Sequence, residues 1–366
     1  MSQEPVFLPV SFLPDWTGRE VHLRDENGRL VPSGIREGRE PCFIASCPPD
    51  AVATYTFCAG PQEVDDLEPW VETEGLGSGH GRIEVRTSRL RAVWEEVCGG
   101  TLTELESRAT GAQFASQAFG AGYGRFSQEN EDKVTQTSTE FIQEDKVNQR
   151  DGTGRLEVAE VLPGVSVSIR CLWEDDKVRA EQLYTLYAHA DCFDVRAKLH
   201  PKTEMETQER VVLDARLKAE PFAKIFPNFV GIAAPAEASE CHFGWREAPF
   251  VPPYATLMSL SKEAEAVSLF VLENEAIDRF RQGFWPEKRP TPGPRTYAQA
   301  EYIQTGEGDA RLLLRVKLHK GRQKEARLYL EGLCSRRTPV FLGGAKELRE
   351  PAVAYIDDVS VERIDP

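Results

Sequence analysis

The chain predicts an all-β protein with few helices: a small N-terminal β-sandwich over residues 1–75 and a large antiparallel β-supersandwich over residues 76–366. Three observations predict it. Apolar residues recur at every second position in run after run from Arg82 to Leu318, the period of a strand with one buried face. The runs are separated by Gly, Pro and Asn-Gly turns rather than by strand–helix units, which indicates antiparallel pairing and stacked sheets. Helical periodicity is weak, and the best candidate is residues 323–333, where Ala326, Leu330 and Leu333 share a face.

In chain order, "REVHLRDENGRLVPSGIREG" reads as a hairpin around a DENG turn. "PCFIASCPPDAVATYTFCAG" repeats the idea with a PPD turn between two strands. "PQEVDDLEPWVETEGLGSGHG" loses the period, is acidic and glycine-rich, and reads as a linker. From Arg82, two alternating runs flank Gly99-Gly100. "GAGYGRFSQENEDKVTQTS" reads as a long loop. In the following block Val165, Val167, Ile169 and Cys171 share one face and Ser166, Ser168 and Arg170 the other. "RVVLDARL", "ATLMSLS", "AVSLFVLE" and "ARLLLRVKLH" continue the pattern, and "VAYIDDVSVERI" ends it as a further strand.

Composition narrows the function classes. The 366 residues exceed one average domain, and 40% hydrophobic content supports a substantial core. A net charge of −15 with no Lys/Arg cluster argues against nucleic acid and against an anionic membrane surface. No apolar stretch nears the roughly 18 residues of a membrane span. "MSQEPVFLPV" lacks the features of a signal peptide, so a cytoplasmic location is expected. Cys42, Cys47, Cys58, Cys98, Cys171, Cys192, Cys241 and Cys334 form no CxxC pair and mostly sit in apolar strand contexts, as free thiols of a reducing compartment do. Among the histidines, His80, His189, His200, His242 and His319 show no metal-ligand spacing. No metal and no cofactor are expected. "GAGYG" and "GLGSGHG" lack the strand–loop–helix context of a nucleotide cradle and read as turns.

Three segments carry chemistry. In "EQLYTLYAHADCFDV", strand alternation would set Glu181, Tyr187 and His189 on one face, a carboxylate, a phenol and an imidazole for proton abstraction next to a sugar carbon. The alternative is a wet strand face. "HFGWREAPFVPPY" offers His242, Trp245, Arg246, Glu247 and Tyr254. Aromatic rings suit the C–H faces of sugars, and Arg and Glu suit hydroxyls or a uronate, with prolines fixing the loop beforehand. The alternative is a rigid surface loop. "DRFRQGFWPEKRPTPGPRTYAQAEY" places Arg281 and Trp285 in the richest mixture of positive charge and aromatics in the chain, against the alternative of a solvated proline-rich connection.

The succession of "LRDENGRLVPSGI", "GRIEVRTSRLRAVWEEVCGGTLTELESRATG", "EQLYTLYAHADCFDVRAKL" and "LLLRVKLHKGRQKEARLYLEGLCSRRTPVFL" resembles the β-sandwich portion of family 38-type, α-mannosidase-like glycoside hydrolases. Related large sandwiches occur in galactose mutarotases and several polysaccharide lyases. The resemblance covers roughly residues 20–345. It implies a carbohydrate-related, galactose mutarotase-like sandwich. In the mannosidase-like enzymes the catalytic aspartate and metal ligands lie on an N-terminal α/β barrel. Nothing in this sequence reads as that barrel, so their hydrolytic chemistry is not carried over. The expected function is therefore sugar binding with lyase- or epimerase-type acid–base chemistry on a sugar or uronate. The alternative is a non-catalytic carbohydrate-binding or accessory subunit. The implied partners are a carbohydrate ligand and, for the alternative, a hydrolase subunit; a homo-oligomer is compatible with either.

Overall fold

The computed structural model describes residues 2–7, 21–36, 41–47, 53–59, 68–115, 117–127, 142–205, 209–218, 224–226, 236–237, 246–248, 256–262, 265–276, 279–286, 295–304, 308–319, 340–341 and 352–354. Among them every regular element is a β-strand except two single-turn 3-10 segments, Glu96–Cys98 and Gln149–Asp151. The all-β expectation holds. The helix expected over 323–333 lies outside the described residues.

Two large sheets enclose the main core. One has nine antiparallel strands in the order Arg155–Leu162, Ser166–Glu174, Val178–Tyr187, Cys192–Pro201, Ala310–His319, Glu265–Glu275, Thr256–Lys262, Lys224–Phe226 and Ala236–Glu237. The other has six, in the order Ile142–Asn148, Gly120–Ser127, Glu209–Lys218, Arg295–Gln304, Arg279–Pro286 and Arg246–Ala248. A four-stranded sheet, Thr101–Ser107, Leu90–Glu95, Arg82–Arg86 and Trp70–Glu74, is linked to the six-stranded one by the bridges Leu102–Ala118 and Ala115–Leu217. Leu213 and Ala215, Ile169 and Tyr184, and Ile83 and Trp94 all belong to one buried cluster. Alternation accounts for this: each strand contributes its apolar parity to the shared interior.

The N-terminal part is a second, smaller sandwich. A three-stranded sheet (Ser2–Phe7, Pro41–Cys47, Ser33–Ile35) faces a five-stranded one (Val340–Phe341, Ala352–Ala354, Ala53–Ala59, Val21–Asp25, Leu30–Val31) across Leu23, Phe43, Ala45, Ala53 and Tyr55. The DENG hairpin is present, with Leu23 opposite Val31. The strands on either side of the PPD turn do not pair; they cross from one sheet to the other, because their apolar faces close the small core from opposite sides.

Two further expectations are corrected. The segment read as a linker contains the strand Trp70–Glu74, and its glycine-rich loop closes on Glu96, whose carboxylate accepts from the amides of Gly77 (2.9 Å), Gly79 (3.0 Å) and Gly81 (2.9 Å). Burial would raise the pKa of Glu96; these backbone hydrogen bonds outweigh it and lower the pKa. The "GAGYGRFS" stretch is a strand, not a loop: Gly120 lies where a side chain would meet Arg150. The strand Ser166–Glu174 alternates as expected, yet Ser166 and Ser168 are also buried. The small sandwich accounts for that burial by lying against the outer face of the nine-stranded sheet. Ile44 and Phe7 pack on Tyr187 and Cys192, and Lys317 donates to Glu4 at 2.6 Å.

Candidate functional site

The strand Val178–Tyr187 carries Glu181, Leu183, Thr185 and Tyr187 on the face away from Tyr184 and Leu186, as alternation requires. It does not carry His189, which follows in a turn with φ +62°. Glu181 and Tyr187 are six residues apart in one strand, about 20 Å at roughly 3.3 Å per residue. Glu181 lies 3.2 Å from Arg170. Tyr187 is buried under the N-terminal sandwich and donates to Asp194 at 2.6 Å, and Arg315 holds that carboxylate at 2.7 and 2.8 Å. Burial pushes the Tyr187 phenol well above its ordinary pKa. His189 Nδ1 is 3.1 Å from Ser88 Oγ and 3.4 Å from Glu68 Oε2. Glu181, Tyr187 and His189 therefore do not assemble into one acid–base site. Tyr187 is instead a packing residue between the two sandwiches.

The binding residues fall on the other large sheet. Antiparallel partners share a face. Leu213, Ala215 and Leu217 are in the core, so Val212 and Asp214 take the outer face of the six-stranded sheet, the parity that positions 216 and 218 share. Registers carry that parity across. Asp214 pairs with Glu301, Glu301 with Arg281, and Arg281 with Glu247. Lys218 pairs with Tyr297 and Tyr297 with Trp285. Thus the backbone register gives Glu247, Arg281 and Trp285, from two separate sequence segments, positions of one parity across the sheet. Arg246 does not join them: its register partner is Gln282, in the parity of Ala300 and Ala215. His242, Trp245 and Tyr254 lie outside the described residues.

At the other end of the Asp214 row, Gly120 pairs with Asp214 and the guanidinium of Arg150 covers it. Arg150 donates to Asp214 Oδ2 (2.8 Å), to the Asp214 carbonyl (2.8 Å) and to the Gln117 carbonyl (2.6 Å). Both side chains are almost fully buried. Gln149, one residue earlier, anchors the turn in the core, where its amide donates to the Gly99 carbonyl at 2.7 Å. Val212 and Asp214 are only 8% and 6% exposed, so the centre of this face is sheltered from water, and charge there acts more strongly than on a wet surface.

The adjoining four-stranded sheet repeats the theme. Glu84 is buried and accepts from Arg82, Arg86 and Arg91, and Arg91 reaches Glu104 as well. Burial would raise the Glu84 pKa, but hydrogen bonds from Arg91, Arg86 and Arg82 overcome it and hold the group at about 2. Such a carboxylate stays ionised at neutral pH and serves as a fixed anion. Arg86 also stacks on the half-exposed Trp70, 4.6 Å from its ring centre. Among the described residues no three His, Cys, Asp or Glu are placed to hold a metal ion.

Asp214, Glu301 and Arg150 were missed from the sequence. Asp214 had a readable signal, a single acid inside the apolar run "RVVLDARL". Arg150 had none, because its partner is 64 residues away.

No protein-family model and no curated protein matches the chain. Solved structures do. An α-mannosidase from Enterococcus faecalis V583 superposes with a TM-score of 0.54 at 10% identity, over 89% of this chain and 42% of that one. A glycosyl hydrolase family 38 protein from Enterococcus faecalis gives 0.52 at 10% identity, over 89% and 43%. A galactose mutarotase-like protein from Clostridium acetobutylicum gives 0.43 at 8% identity, over 70% and 100%. The chain spans about two fifths of the length of the first two. At such identity the likeness is one of fold: the large β-sandwich anticipated from the order of strands is the one this chain adopts.

Proposed function

We propose that this chain is a sugar-binding β-sandwich whose ligand lies on the outer face of the six-stranded sheet. The observation that carries the proposal is the register. It lines up Trp285 with Tyr297, and Glu247, Arg281, Glu301 and Asp214 in a second row, on one face. Aromatic positions for C–H faces beside planar polar groups for hydroxyls are what a pyranose needs. The fold likeness to a protein described as an α-mannosidase supports a carbohydrate ligand. Binding is the favoured reading over lyase- or epimerase-type turnover, because Glu181, Tyr187 and His189 lie apart. The second reading, catalysis at the same face, draws on Glu247 and Glu301, whose register positions flank Arg281. A panel of oligosaccharides read by calorimetry and by product formation tests both. Trp285→Ala is expected to weaken sugar binding by about 1–3 kcal/mol. Unchanged affinity for every sugar that binds the native chain would remove this face from consideration. We also place the protein in a reducing compartment, on the support of five described cysteines that are all free thiols.

A further inference from the structure

The four-stranded sheet is closed on one side only. Its strand Thr101–Ser107 is bridged to the six-stranded sheet at Leu102–Ala118, whereas Trp70–Glu74 pairs with Arg82–Arg86 and has no strand on its other edge among the described residues. Four of its five residues are exposed, so the edge is open to solvent. Of the devices that blunt an open edge, bulge, proline and lysine are missing: the register runs unbroken from Trp70–Arg86 to Glu74–Arg82. Only charge remains, from Glu72 and Glu74. Neither acid has an ion-pair partner among the described residues, because Arg82, Arg86 and Arg91 already donate to the buried Glu84. Exposed apolar groups gather at the two ends. Trp70 (42%) opens the strand, Leu76 (38%) follows it, and Val97 (50%) lies on the turn whose Glu96 clamps the loop holding Leu76. These are three of the five large exposed apolar side chains among the described residues, so unburied apolar surface concentrates around this edge.

We propose that this edge receives an extended segment of a partner protein, which adds a fifth, antiparallel strand and carries basic side chains at alternate positions. An open strand presents a row of unpaired backbone N–H and C=O groups, and an added strand satisfies them. Charge selects the occupant. Directly opposed residues of adjacent antiparallel strands hold their Cβ atoms about 4.5–5.5 Å apart. Trp70, Glu72 and Glu74 share one parity, so Lys or Arg at alternate positions of the incoming strand meets both acids, and an apolar residue two positions further on meets Trp70. Arg86, opposite Trp70, stacks on the ring and holds it in place for that contact. A second copy of this chain fits poorly. Two such edges paired antiparallel about Glu72 oppose Glu72 to Glu72 and put Glu74 against Trp70. The net charge of −15 adds to that repulsion and to the attraction of a basic segment.

The probe is a labelled, end-blocked peptide, Ser-Lys-Thr-Lys-Val-Phe-Ser, which sets its lysines against Glu74 and Glu72 and its phenylalanine against Trp70. It is compared by fluorescence anisotropy with a version whose lysines are replaced by glutamate, and with two versions N-methylated at alternate backbone positions, one for each edge of the peptide. The native protein is expected to bind the lysine peptide with a Kd of about 1 mM or tighter, and the glutamate version at least about tenfold more weakly. One N-methylated version should lose binding and the other keep it. Glu72→Lys/Glu74→Lys should reverse the charge preference. Hydrogen exchange on the native protein supplies a readout that needs no variant: the lysine peptide should protect amides within 70–74 and leave those of 101–107 unchanged. No binding of the lysine peptide, indifference to both N-methylated versions, or protection elsewhere overturns the proposal. A dimer in sedimentation that Glu72→Lys/Glu74→Lys dissociates gives the edge to a second copy and overturns the basic partner.

Discussion

Arg150→Ala is the most exposing perturbation of the candidate site. The substitution removes three hydrogen bonds, at 2.8, 2.8 and 2.6 Å, and takes the Arg150 guanidinium away from the buried Asp214 carboxylate. Removing one member of a buried pair costs about 3–5 kcal/mol, because the remaining charge is left desolvated. With a urea m-value of about 3 kcal/mol/M, that is a fall in midpoint of at least about 1 M. Arg150→Ala/Asp214→Asn should recover part of the loss, since the stranded charge is gone. Gly120 supplies an independent check. A Cβ there would sit 2.7 Å from Arg150 Cζ and 2.8 Å from Nη1, and the guanidinium, tied on three sides, has no easy retreat. Gly120→Ala should therefore destabilise the native protein and be nearly neutral in the Arg150→Ala background. Urea unfolding followed by tryptophan fluorescence measures all four variants. A cost below about 1 kcal/mol for Arg150→Ala, or the same cost for Gly120→Ala in both backgrounds, would refute the clamp.

Acid should unlock the arginine cluster on the adjoining sheet. Glu84 is held at about 2 against an ordinary value of 4.5, so its contribution is fully present above about pH 4.5 and is lost as pH falls toward 2. At about 1.4 kcal/mol per pH unit the ceiling is about 3 kcal/mol; stability of Glu84→Gln that falls as steeply with acid as the native protein's would contradict this. Tyr187→Phe removes a hydrogen bond to the Asp194 carboxylate and should cost about 1.5–3 kcal/mol of stability with sugar affinity unchanged, since Arg315 still holds Asp194. Loss of sugar binding in that variant would return the residue to the site. Thiol titration of denatured, non-reduced protein should find nearly all eight cysteines; two or more native disulfides would overturn the reducing compartment.

The periodicity of single segments was legible in the sequence. Period-two alternation is a local property, and it identified the strands containing Ile169, Leu213 and Leu314 before any fold was known. Arg281 and Trp285 were marked by composition alone, as a mixture of positive charge and aromatics; that their segment forms the strands Arg279–Pro286 and Arg295–Gln304 was decided by the tertiary structure. Alternation gives two faces but does not say what covers each. Tyr187 reads as a member of an acid–base face, with a wet strand face as the alternative. It became interior because the small sandwich lies on that side, a contact made by Phe7 and Ile44 from more than 140 residues away. The pairing of Ala352–Ala354 with Ala53–Ala59 and the clamp of Arg150 on Asp214 are likewise decisions of the tertiary structure. Register between distant strands is fixed by how their apolar parities fit one shared core, and no single stretch of chain contains that information. The same reason explains the candidate site. Its row from Glu247 through Arg281 and Glu301 to Asp214 is contiguous only across the sheet, where strands far apart in sequence lie one spacing apart in space.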